Sequence, residues 1–110
     1  MKQYVIDEIR PADYEKVKAY LDQTFGDAGI GGLYWLPLED ALYSEVQRTH
    51  TGCAPFYLAL ELERDRLCGE LLVRTRHRVR CDCIQYADQR QRDWLIHTID
   101  AIFEKLEIIT

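Results

Sequence analysis

Phe56-Tyr57-Leu58-Ala59-Leu60-Glu61-Leu62-Glu63, followed by Arg64-Asp65 and then Arg66-Leu67-Cys68-Gly69-Glu70-Leu71-Leu72-Val73, is the stretch that decides the fold. Its first eight residues alternate between Phe or Leu and Tyr, Ala or Glu, the two-residue period of a strand buried on one face. A turn at Arg64-Asp65 sets Glu63 opposite Arg66. That register also places Leu62 opposite Leu67, Leu60 opposite Gly69, Leu58 opposite Leu71 and Phe56 opposite Val73. Every core-side residue then meets a core-side partner, so the segment predicts an antiparallel hairpin.

Downstream lies Arg74-Thr75-Arg76-His77-Arg78-Val79-Arg80-Cys81-Asp82-Cys83. A single strand from 67 to 86 would be about 66 Å long at ~3.3 Å per residue, far too long for a domain with a radius of gyration of about 13 Å. The chain must therefore turn inside the arginine run. An odd-numbered loop, at Thr75-Arg76-His77 or Arg76-His77-Arg78, keeps Val73 on the side of Val79, Cys81 and Cys83. The expected result is a third strand, with Arg74, Arg76, Arg78 and Arg80 around an exposed tip and both thiols facing the core.

Upstream, Lys2 to Ile9 reads as a strand that loses regularity after Val5-Ile6. Pro11 suits a first helical turn, and Tyr14, Val17, Leu21 and Phe25 repeat at helical spacing, which predicts a helix over 11–25 ended by Gly26. The glycines of 26–32 follow a helix rather than a strand, so a helix cap and turn explain them better than a phosphate cradle. Leu33-Tyr34-Trp35-Leu36-Pro37-Leu38 reads as a short extended piece packing one or both aromatics on the core. Leu38, Leu42 and Val46 then predict a second helix ending near Arg48. Trp94, Leu95, Ile99, Ile102, Phe103 and Leu106 form one stripe of a long amphipathic helix over 88–106.

The expected architecture is one α+β domain over residues 1–110, ordered β-α-α-β-β-β-α. An antiparallel three-strand meander and an N-terminal strand would carry helices mainly on one face. With 47% apolar and 30% charged residues the 110-residue chain has the composition of a globular domain. No apolar run approaches the ~20 residues that cross a bilayer, and the first residues lack the apolar stretch of an export signal. A cytoplasmic location without membrane attachment is expected, with the four cysteines free or ligating rather than bridged. The net charge of −5 opposes nucleic-acid binding through phosphates. Residues 64–92 nevertheless carry eight arginines against four acids, a local excess suited to an anion or an acidic surface.

Phe56 to Val73, with Gly69 after the turn, resembles the central hairpin of the GNAT acyltransferases. The order of elements resembles the first part of that fold. The resemblance implies acyl-CoA binding, with pyrophosphate held by amides of a glycine-bearing loop at a helix start. The matching segment here is Asp88-Gln89-Arg90-Gln91-Arg92-Asp93-Trp94, which has no glycine.

Three constellations could carry chemistry. His50-x-x-Cys53 with Cys81-x-Cys83 has the donors of a zinc site. Alternate residues of a straight strand lie about 6.6 Å apart, however, and tetrahedral zinc needs its sulfurs under about 4 Å apart; the thiols are therefore read as core. His50 beside Cys53 could form an activated thiol, although nothing in the sequence orients the imidazole. Arg74, Arg76, Arg78 and Arg80 suit carboxylates or phosphates bidentately. The expectation is a non-catalytic interaction module without cofactor, contacting a protein partner or a second copy through the arginine hairpin or the open sheet face. The alternative is a GNAT-like protein or enzyme binding a small anion or acyl-CoA.

Overall fold

A computed structural model describes residues 2–26, 30–77 and 80–109. Among these, six strands form one antiparallel sheet: β1 Gln3–Ile6, β2 Leu33–Pro37, β3 Phe56–Glu63, β4 Arg66–Glu70, β5 Leu72–Thr75 and β6 Gln85–Tyr86. Three α-helices accompany it: α1 Pro11–Phe25, α2 Glu45–Thr49 and α3 Gln89–Lys105. The α+β class is as expected. The sheet is richer by β2, because Leu33–Pro37 pairs along β3, with Tyr34 opposite Leu60 and Leu36 opposite Leu58. Tyr34 and Leu36 enter the core, whereas Trp35 stays half-buried on the other face, edge-on to Tyr57.

β3 is the central strand. Its second edge carries β4 and then β5, β1 lies beside β4, and β6 lies beside β5. The expected register holds at Glu63 with Arg66, Leu62 with Leu67 and Leu60 with Gly69. Beyond Gly69 it slips by two residues: Phe56 faces Thr75 rather than Val73. The slip falls between Gly69 and Arg74, where Leu71 separates β4 from β5. Its N–H donates to the Lys2 carbonyl at 3.0 Å, and its carbonyl accepts from the Ala87 N–H at 2.6 Å. Two more residues on the β4–β5 side than on β3 make this a bulge in the ladder.

The meander also differs beyond Thr75. The returning strand is only Gln85–Tyr86, paired with Val73 and Leu72. Residues 80–84 are bends and turn rather than strand, and Arg78 and Val79 lie outside the described residues. Two residues of pairing are enough to bring the chain back to the sheet before α3 begins.

The expected helix ending near Arg48 is broken. Leu38 remains extended, donating to the Phe56 carbonyl at 2.9 Å, and Asp40–Leu42 makes a single 3-10 turn. Ser44 then starts α2 with a capping box. Its hydroxyl accepts from the Gln47 N–H, and the Gln47 side-chain oxygen accepts from the Ser44 N–H. α3 opens in the same way with Asp88 and Gln91. Of the glycine segment, 27–29 lie outside the described residues. Gly26, at φ 85°, follows α1 directly, and Gly31 and Gly32 also have positive φ. No helix is long and apolar enough to cross a membrane among the described residues.

Val17 and Leu21 of α1 join Leu95, Ile99, Ile102 and Phe103 of α3 over Phe56, Leu58, Leu60, Leu67 and Val73 in one core. The helix seats closely because Gly69 has no side chain. A Cβ there would lie 2.7 Å from Ile99 Cδ1 and 3.3 Å from Leu95 Cδ2. Gly69→Val should therefore lower the unfolding free energy by about 1–3 kcal/mol in urea denaturation, the usual cost of overpacking. An unchanged midpoint would show that α3 does not rest on β4 this closely.

Candidate metal centre

α2 is five residues long and ends at His50, whose N–H donates to the Val46 and Gln47 carbonyls. The chain turns at once, and the Cys53 N–H donates to the His50 carbonyl at 2.9 Å. Residues 50 and 53 are thereby presented from one short loop. The Thr75 hydroxyl, at the end of β5, donates to the Cys53 carbonyl and accepts from the His77 N–H. The loop is thus fastened to the strand that leads into the arginine run. Ala54-Pro55 is a cis peptide, after which β3 begins.

The second half of the cluster is the turn closed by the Ile84 N–H donating to the Cys81 carbonyl at 3.0 Å. This turn corrects the expectation from strand parity. Cys81 and Cys83 do not stand two strand rises apart, and the spacing argument against a shared ligand set falls away. The donor atoms of His50, Cys53, Cys81 and Cys83 all lie within 4.8 Å of one another. His50 Nδ1 is 3.1 Å from Cys81 Sγ, and Cys53 Sγ is 3.8 Å from Cys81 Sγ. Two sulfurs bound tetrahedrally at ~2.3 Å are about 3.8 Å apart. The sulfur that the imidazole touches at 3.1 Å is that of Cys81, not the neighbouring thiol of Cys53 suggested by the sequence.

Burial divides the thiols. Cys83 is fully buried and Cys53 is 5% exposed, whereas Cys81 is partly open to solvent. The backbone N–H of Cys83 is the main influence holding the Cys81 thiol down to about 6, and hydrogen bonds from the Cys83 side chain, His50 and Cys53 add to it. Burial, followed by the thiols of Cys81 and Cys53, pushes Cys83 up to about 12. All four cysteines are free. Cys68 is the outlier, buried on β4 opposite Glu61 and Val5, where burial raises its pKa.

Behind the turn stand two glutamines that the sequence reading did not single out. Gln47 and Gln91 are each only 1% exposed. The Gln91 amide donates to Gln47 Oε1 at 2.9 Å and to the Leu42 carbonyl at 2.8 Å, while the Gln47 amide donates to the Cys83 carbonyl at 3.4 Å. Each is also the third residue of its helix and completes that helix's capping box. The patterns Ser44-x-x-Gln47 and Asp88-x-x-Gln91 were the sequence signal that could have found them.

The described arginines of the run have different surroundings. Arg74 is paired with Glu70 at 2.9 Å, Arg76 lies over the rings of Trp35 and Tyr57, and Arg80 is exposed. Arg78 lies outside the described residues. The segment 88–94, where the acyltransferase resemblance would place a pyrophosphate loop, is the capped start of α3, and Asp88 takes the Gln91 N–H. Comparison with protein-family models, with curated proteins and with solved structures finds no match to this chain.

The low pKa of Cys81 gives a pH signature in metal-free protein. Above about pH 6 its thiolate predominates, so a short pulse of iodoacetamide should label Cys81 near its maximal rate at about pH 7. The rate should fall about tenfold per pH unit below 6, as the thiolate is protonated. Cys83 should stay unlabelled throughout. Labelling of Cys81 that still climbs tenfold per unit above about pH 7 would contradict the assignment.

Proposed function

We propose that this protein is a metal-binding domain in which His50, Cys53, Cys81 and Cys83 hold one zinc ion. The observation that carries the reading is the convergence of one imidazole and three thiols from two loops, 31 residues apart for His50 and Cys81 and 28 for Cys53 and Cys81. Soft sulfur donors with one nitrogen favour zinc or monovalent copper over magnesium or calcium, and a tetrahedral four-donor set favours zinc. Four protein ligands leave no position for a substrate or an activated water. The ion would act as a staple, tying the α2 loop to the turn before β6. A reducing compartment such as the cytoplasm keeps such thiols available for a metal.

A partner-binding role for the uncovered sheet face is the second reading. Its support is Arg76, whose guanidinium lies 5.6 Å from the Trp35 ring centre and 5.9 Å from that of Tyr57. A half-exposed Trp, Tyr and Arg together have the chemistry of an interface anchor. This reading is compatible with a zinc staple, which would steady the loop adjoining that face.

Metal analysis of the purified chain tests the first reading. About one zinc per chain is expected, with Cys53→Ser and Cys83→Ser each retaining less than about a tenth of it. Zinc held at a hundred times its dissociation constant should stabilise the fold by about 2.7 kcal/mol relative to chelated protein. A chain that purifies without metal, and shows no thiolate-to-cobalt charge-transfer band when titrated with cobalt, overturns the proposal.

A further inference from the structure

The same four residues combine a metal-ligand set with a pair of sulfurs close enough to react with each other. We propose that the centre is also an oxidation site, at which a hydroperoxide joins Cys53 to Cys81 and expels the metal. The inference rests on the zinc reading above.

Three features select that pair. Cys81 is the ligand thiol open to solvent, whereas Cys53 and Cys83 are buried, so a small oxidant meets Cys81 first. Cys53 Sγ stands 3.8 Å from it and needs an approach of about 1.8 Å to reach a disulfide bond of ~2.05 Å. Cys83 is a poorer partner. It shares the turn closed by Ile84 and Cys81, and its carbonyl is held by Gln47. A bond between Cys81 and Cys83 would have to deform both.

The chemistry balances without any further component. The Cys81 thiolate attacks one oxygen of hydrogen peroxide, forming an S–O bond as the O–O bond breaks. The departing hydroxide takes a proton and leaves as water. The Cys53 thiolate then attacks the Cys81 sulfur, the S–S bond forms, the S–O bond breaks, and a second hydroxide leaves as water after protonation. Two electrons pass from the two sulfurs to the peroxide, which is reduced to two waters. The zinc loses two anionic ligands in the process. His50 and Cys83 alone cannot complete a tetrahedral site, and the ion departs. A dithiol returns two electrons and restores the ligands.

Zinc-loaded protein treated with one to two equivalents of hydrogen peroxide provides the test, with released zinc read by a chromogenic chelator and disulfides mapped by mass spectrometry without reduction. About one zinc should leave per disulfide formed, with the link between Cys53 and Cys81, and dithiothreitol with added zinc should reverse both. Cys68→Ser should behave as the parent does. Zinc retained through ten equivalents of peroxide overturns this inference and leaves the zinc reading standing. So does release accompanied by a Cys81–Cys83 link or by Cys81 sulfinic acid in place of the expected disulfide. A chain that holds no zinc before peroxide is added sinks both.

Discussion

Leu71 is the residue on which the arrangement turns. Alternate residues of an antiparallel strand bond to opposite neighbours, and Leu71 falls on the side facing away from β3. There it gives its N–H to Lys2, and its carbonyl accepts from Ala87. One residue thereby joins the N-terminal strand to the segment that enters α3, with the hairpin lying between them in sequence. β1 can occupy the edge beside β4 only, and the edge beside β5 is left for β6. Short pairing at β6 then releases residues 80–84 from strand geometry, and the released turn is the one that carries Cys81 and Cys83.

The cluster so formed is electrostatically uncomfortable when all its sulfurs are charged. The Cys83 backbone N–H holds the Cys81 thiol low, and burial pushes Cys83 high. Like charges at such separations cannot all persist in a buried site. A divalent cation would remove the conflict, since it replaces protons on several donors at once. The polar shell is already complete on the protein side. Among the described residues no buried side-chain nitrogen or oxygen lacks a hydrogen-bond partner, Gln47 and Gln91 included.

Much of the architecture was legible because it rests on periodicity. The two-residue alternation of 56–63 and the helical stripes of 11–25 and 88–106 each depend on one buried face, and burial enforces the pattern. Register beyond Gly69 was not legible, because nothing in the alternation of 66–75 marks the two extra residues of the bulge. The second helix was misread for a local reason: Leu38 and Leu42 keep a helical spacing, but Leu38 bonds to Phe56 and Ser44 begins a new helix. His50, Cys53, Cys81 and Cys83 were visible as a donor set. Their proximity was hidden by the assumption that 79–86 continues as strand, which fixes sulfur spacing at a value no single ion can bridge.

α2 has only five residues, too few to hold a helical conformation in isolation. Its first turn is closed by Gln47, which in turn is held by Gln91 of the 17-residue α3. His50 follows directly from α2. The position of the imidazole therefore depends on contacts between α2 and α3. A minimal zinc finger is organised by its ion, whereas here hydrogen bonds among Ser44, Gln47, Gln91 and the Cys83 carbonyl also hold the two loops in place. Such a centre would give up its ion without unravelling, so its occupancy could vary over the lifetime of a single folded molecule.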